Sequence, residues 1–87
     1  MNLNWNVILT EFSENLLKLR KSRKMSQEMV AGIDLSVRNY QKIEKGETFP
    51  SFKSILIIAK NLNIPPAKLL ELPSLKYTNT PPTKSKS

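Results

Sequence analysis

The chain has no cysteine and no histidine among its 87 residues. Without cysteine there is no disulfide framework and no thiolate metal site, and without histidine the commonest metal ligand and proton shuttle is missing. Hydrolytic or metal-dependent catalysis is therefore not expected, nor is a bound cofactor or a small-molecule substrate. Acid is scarce as well. Seven Asp and Glu stand against fourteen Lys and Arg, giving a formal charge of +7 and a pI near 9.9, so the partner should be anionic, with nucleic acid foremost. Aromatic residues make up 7% of the chain and fall mostly at candidate core positions, which argues against base stacking of the kind single-stranded RNA needs. No segment approaches the roughly 18 apolar residues that span a bilayer, and the opening MNLNWNVILTEF lacks the basic start and unbroken apolar stretch of an export signal. The expectation is one small cytoplasmic domain, too short to hold both a core and an elaborate catalytic cleft.

What is present is helical periodicity. From Trp5 to Leu19, the residues Trp5, Ile8, Leu9, Phe12, Leu16 and Leu19 recur at steps of three and four and define one stripe of a first helix. It runs into a basic stretch in which five of the seven residues from Lys18 to Lys24 are cationic. Ser26 offers a side-chain oxygen to the amides of a short second helix, with Met29, Val30 and Ile33 available for burial and an end near Gly32 to Leu35. Ser36 caps a third helix that Gly46 stops, and Pro50 holds Phe49 out of helical geometry. Ser51 caps a fourth, SFKSILIIAKNLN, which would bury Phe52, Ile55, Leu56, Ile58, Ala59 and Leu62. Pro66 suits the first position of a fifth helix reaching Leu70 or Glu71. The residues from Pro73 onward contain three prolines, three lysines and no acid, a composition that cannot offset its ordering entropy. The reading is an all-α fold, a compact bundle of five helices over residues 1–72, followed by a flexible basic tail over 73–87. No internal repeat and no alternation of period two is present.

The third helix carries two kinds of residue. On a wheel of about 100° per residue, Tyr40, Ile43 and Glu44 cluster on one side, while Arg38, Gln41, Lys42 and Lys45 form a contiguous arc on the other. An α-helix matches the major groove in width, where Arg and Lys donate to guanine, Gln and Asn pair with adenine, and Lys also meets phosphate. Such an arc is equally the composition of a solvated face, so its context matters. That context is a helix, a tight turn and a second helix, the unit that lays its latter member in the groove. The stretch LRKSRKMSQEMVAGIDLSVRNYQKIEKGETFPS resembles the helix-turn-helix of the phage-repressor and Cro-like (XRE-like) family, which reads LRK-x-R-G-[LM]-SQEELA, then GVS, then a W or I followed by E-x-G and NPS. Leu19, Arg20, Lys21, Ser26, Gln27, Glu28, Ala31, Ser36, Ile43, Glu44, Gly46, Pro50 and Ser51 fall on that pattern. ILIIAKNLNIPPAKLLEL is similar to the family's fourth and fifth helices, so the likeness covers roughly residues 9 to 72.

The resemblance implies that Gln27 and the amides opening the second helix contact a phosphate. It also implies that Val37, Arg38, Gln41 and Lys42 face base edges, and that Lys45 and the loop around Thr48 grip the backbone. Val37 offers no hydrogen bond but can pack on a thymine methyl. Set against this, Gln27 also suits a helix's first turn and Asn39 a local bond to the Ser36 cap, and Lys18 to Lys24 would be stable as a solvated run. Glu44 lies on the inner side of its helix and needs a cation; the resemblance points to Arg20, with Arg23 on the first helix as a rival. Between Ser26 and Gly46 the chain is one residue shorter than the family pattern. That shortening would tilt the third helix, promoting Asn39 and demoting Gln41.

A module of this size gains site length by pairing, since a two-fold dimer reads half-sites about one DNA turn apart. A homodimer is expected, with Ile64, Leu69, Leu72 and Leu75 either forming its apolar surface or closing the monomer core. Two functions remain in view. One is a sequence-specific double-stranded DNA-binding regulator, repressor or activator, similar in size to phage repressors and to restriction-modification controller proteins. The other is an antitoxin or coactivator type of protein-interaction module. With no room for a separate sensing domain, control by protein concentration is the simplest scheme.

Overall fold

Of the five α-helices among the described residues, four begin at an Asn or Ser whose side chain accepts a hydrogen bond from the amide three residues on. In the computed structural model, which describes residues 3–76, Asn4 caps α1 (Trp5–Ser22) through Val7, and Ser26 caps α2 (Gln27–Ala31) through Met29. Ser36 caps α3 (Val37–Glu44) through Asn39, and Ser51 caps α4 (Phe52–Leu62) through Ser54. Each such bond satisfies an amide with no partner inside its helix and is worth about 1 kcal/mol. The fifth helix, α5 (Pro66–Leu69), opens on Pro66, whose missing N–H costs nothing at that position. It is one or two residues shorter than the sequence suggested.

Three helices close by one device. After α1, Lys24 N–H bonds Lys21 O and Met25 N–H bonds Arg20 O; after α3, Gly46 bonds Ile43 O and Glu47 bonds Lys42 O; after α4, Asn63 bonds Lys60 O and Ile64 bonds Ala59 O. The residue at the reversal takes positive φ each time: Lys24 at 55°, Gly46 at 75° and Asn63 at 59°. No strand occurs among the described residues.

The core gathers Ile8, Phe12 and Leu16 of α1, Val30 and Ala31 of α2, Leu35, Tyr40 and Ile43 from the turn and α3, Ile58, Ala59 and Leu62 of α4, and Leu69 and Leu72 behind them. Truncating one of the fully buried aliphatics to Ala would cost about 2–5 kcal/mol. Several positions expected inside are outside. Trp5 is 62% exposed because it opens α1 ahead of the elements that cover it. Phe52 and Leu56 are exposed because the buried face of α4 runs through Ser54, Ile58 and Leu62, about 200° around the helix from Phe52. Met29 is mostly exposed and Ile33 is 100% exposed. The helix stops at Ala31, Gly32 turns the chain at φ 63°, ψ −152°, and Leu35 enters the core in place of Ile33.

Side chains of one element finish the polar groups of another. Asn61 of α4 donates to Val30 O at 2.8 Å and Ala31 O at 3.4 Å, taking up carbonyls that α2 cannot satisfy itself. On α1, Asn15 donates to Lys68 O and Leu69 O. Glu11 accepts from both the amide and the hydroxyl of Ser74, at 3.0 and 2.9 Å. Packing therefore continues past Leu72: Pro73–Leu75 form a 3-10 turn against α1, and Leu75 touches the core. The remainder of the expected tail, residues 77–87, lies outside the described residues.

Candidate nucleic-acid interface

The position of α3 is set by one carboxylate. Glu44 is 6% exposed at its side chain, and Arg20, 15% exposed, grips it with two parallel bonds: Nε to Oε2 at 2.7 Å and Nη2 to Oε1 at 2.9 Å. Tyr40, one turn earlier on α3, donates its hydroxyl to Oε2, and Gln27 of α2 donates Nε2 to Oε1 at 3.0 Å. Arg20 spends Nη1 on Met25 O at 2.9 Å, fixing the corner between α1 and α2. Arg20, and not Arg23, is the cation beside Glu44. One charged pair thus ties α1, the corner, α2 and α3 together.

Burial alone would push the Glu44 carboxyl up; the hydrogen bonds from Arg20, Tyr40 and Gln27, with the charge of Arg20, outweigh it and hold the group below the ordinary value. Tyr40 is raised, first by burial and then by its bond to the Glu44 carboxylate. The Arg20 guanidinium is raised by the same carboxylate.

With its inner side so anchored, α3 presents Arg38, Asn39 and Lys42 to solvent, with Lys45 at the cap. Gln41 is half-buried because its Nε2 donates to Gln27 Oε1 at 3.1 Å. Gln27 is thus a bridge, accepting a hydrogen bond from Gln41 and donating one to Glu44. Counting the remaining atoms, Gln41 retains a free Oε1 and one N–H, and Gln27 retains one N–H. Val37 is half-buried against the core, so only part of it faces outward. Thr48 is half-buried and its hydroxyl lies 3.4 Å from Phe49 O. Gln41 is held against α2, and Asn39 stands in solvent at the flank of the arc.

The sequence reading brought together Arg20, Glu44 and the outer arc, but it missed the Gln27–Gln41 bridge and the Tyr40 hydroxyl. Tyr40 and Glu44 are four residues apart, and that spacing was the available signal. Nothing in the spacing of Gln27 and Gln41 announces their contact, which depends on how α2 crosses α3.

A short α2 across an α3 with a free polar flank defines a helix-turn-helix, and the family model of that description matches residues 16–69. The chain belongs to the helix-turn-helix family of DNA-binding transcription regulators, of the phage-repressor and Cro-like kind. Among solved structures, the restriction-modification controller protein C.AhdI from Aeromonas hydrophila is similar at 32% identity and a TM-score of 0.67, over 70% of this chain and 94% of that one. No curated protein matches the sequence. No helix among the described residues is long and apolar enough to cross a membrane.

Proposed function

We propose that this protein is a sequence-specific regulator that reads the major groove of double-stranded DNA with α3, acting as a repressor or activator in the manner of a restriction-modification controller or a phage-type repressor. The observation that carries this reading is the outer flank of α3, which holds Arg38 and Lys42 clear of the protein body beside a Gln41 pre-set by Gln27. Arg38 and Lys42 supply donors for guanine. Gln41, with its free Oε1 and N–H, retains the pair of atoms that adenine's N6 and N7 require. Val37 adds an apolar edge suited to a thymine methyl. Gln27, Lys45 and Thr48 lie at the margins of this flank and serve the phosphates. The arc favours this function over an antitoxin or coactivator type of protein-interaction module.

Such a regulator works beside the DNA in the cytoplasm and would bind as a homodimer, doubling the site. Ile64, Leu69, Leu72 and Leu75, the residues first considered for pairing, pack into or against the monomer core. Of the exposed apolar residues, which also include Trp5, Met29 and Ile33, Phe52 and Leu56 on α4 with Leu70 beyond α5 would form the interface.

Selection from random duplexes, followed by titration at two salt concentrations, tests the reading. Arg38→Ala should cost roughly 1–3 kcal/mol and relax one base pair, whereas Lys45→Ala should weaken all sequences and lower the salt slope by about one. A selection that enriches no motif would refute sequence-specific regulation.

A further inference from the structure

The three helices that end by the same reversal place different residues in the left-handed region. Gly46 adopts it freely, and Asn63 is the side chain that tolerates it best after glycine. Lys24 is the odd one. Its Cβ crowds the following carbonyl oxygen, and it lacks the short polar group with which Asn offsets that crowding. Lys24 and Asn63 are the only non-glycine residues with positive φ among those described.

The corner that holds Lys24 is fixed, because Arg20 clamps Met25 O with one nitrogen and Glu44 with the other two. Two residues on, Ser26 caps α2, and Gln27 then reaches Gln41 on the reading flank of α3. Lys24 itself is exposed, and among the described residues no carboxylate lies within 4.0 Å of its ammonium. A lysine in an unfavourable backbone state, on a corner that Arg20 ties to Glu44 at the end of α3 and without an ion-pair partner, has no structural task that glycine would not do better.

We propose that Lys24 is a phosphate-binding residue, kept in the left-handed region so that its ammonium neutralises the DNA strand flanking the groove that α3 reads. This rests on the DNA-binding reading above. Backbone strain persisting where a ligand is gripped is a recurring feature of functional sites, and here fold stability and affinity oppose each other at one residue.

The test compares wild type with K24G, K24A, K24R and the remote charge control K60Q, by thermal melting and by fluorescence anisotropy on the selected duplex across a salt series. K24G should melt roughly 4–8 °C higher. It should also bind about five-fold more weakly near 0.15 M salt, with a salt slope shallower by about 0.9. K24A should lose the same affinity without the gain in Tm, K24R should resemble wild type in both, and K60Q should leave the slope unchanged. K24G with unaltered affinity and slope, K24G that melts no higher than wild type, or K60Q that flattens the slope as much would each overturn the assignment. If wild type itself shows no salt-dependent duplex binding, the DNA-binding reading falls and the role of Lys24 with it; silence confined to the Lys24 variants refutes this inference alone.

Discussion

Replacing Glu44 by Ala should do more harm than any surface change on the same helix. The carboxylate takes two hydrogen bonds from Arg20 and one each from Tyr40 and Gln27. Its loss leaves a guanidinium, a phenol and an amide facing one another with 6% and 15% exposure at the former ion pair. Removing one partner of a buried pair costs about 3–5 kcal/mol. In a domain of this size 1 kcal/mol moves Tm by roughly 4–8 °C, so Glu44→Ala should melt at least about 12 °C below wild type. Lys45, the next residue, is exposed, and Lys45→Ala should stay within about 0.5 kcal/mol. Glu44→Gln keeps the shape, loses the charge and turns an N–H₂ toward one of the donors, so it should fall between the two. Circular dichroism melts in one buffer decide the matter. If Glu44→Ala and Lys45→Ala melted within about 3 °C of each other, the pair would not anchor α3 as argued.

The Glu44 carboxyl titrates lower in the fold than in the open chain, so the unfolded state takes its proton first. Its stabilisation should be complete above the ordinary value of 4.5 and disappear as pH falls past the folded value, and urea titrations in acid should show that Glu44→Gln flattens this dependence. At Gly32 an added Cβ would lie 2.7 Å from Asn61 Nδ2 on a backbone at φ 63°; Gly32→Ala should cost about 2 kcal/mol or more, and a midpoint in urea equal to wild type would contradict this. For assembly, light scattering at tens of micromolar should report a dimer that Phe52→Ser with Leu56→Ser disperses, and a monomeric wild type would exclude the paired mode.

Much of this architecture was legible because it is local. Ser26, Ser36, Ser51 and Gly46 act through bonds to neighbours within a few residues and Pro66 through its fixed φ, and each stands where it was expected. Burial was harder to read where a helix is apolar nearly all round. α4 offers Phe52, Ile55, Leu56, Ile57 and Ile58 within seven positions, and which of them faces inward depends on where α2 and α5 cross it. Ile33 looked like a core residue, but the helix ends at Ala31, the chain turns at Gly32, and Leu35 takes the core place. At the site, the arc of Arg38, Gln41, Lys42 and Lys45 follows from helical geometry alone. The half-buried Val37 and the Gln27 bridge arise only from contact between elements apart in sequence.

The bond from Asn61 to the last carbonyls of α2 carries a consequence for inheritance of binding preference. A five-residue helix cannot hold its own shape in water, so the seating of α2, and through Gln27 the aim of Gln41, is delegated in part to a side chain on α4 that is no part of the reading flank. If α3 reads DNA as proposed, drift at position 61 would retune which operators are recognised while the outer arc stayed the same, and sorting relatives by that arc alone would misjudge which of them share a target.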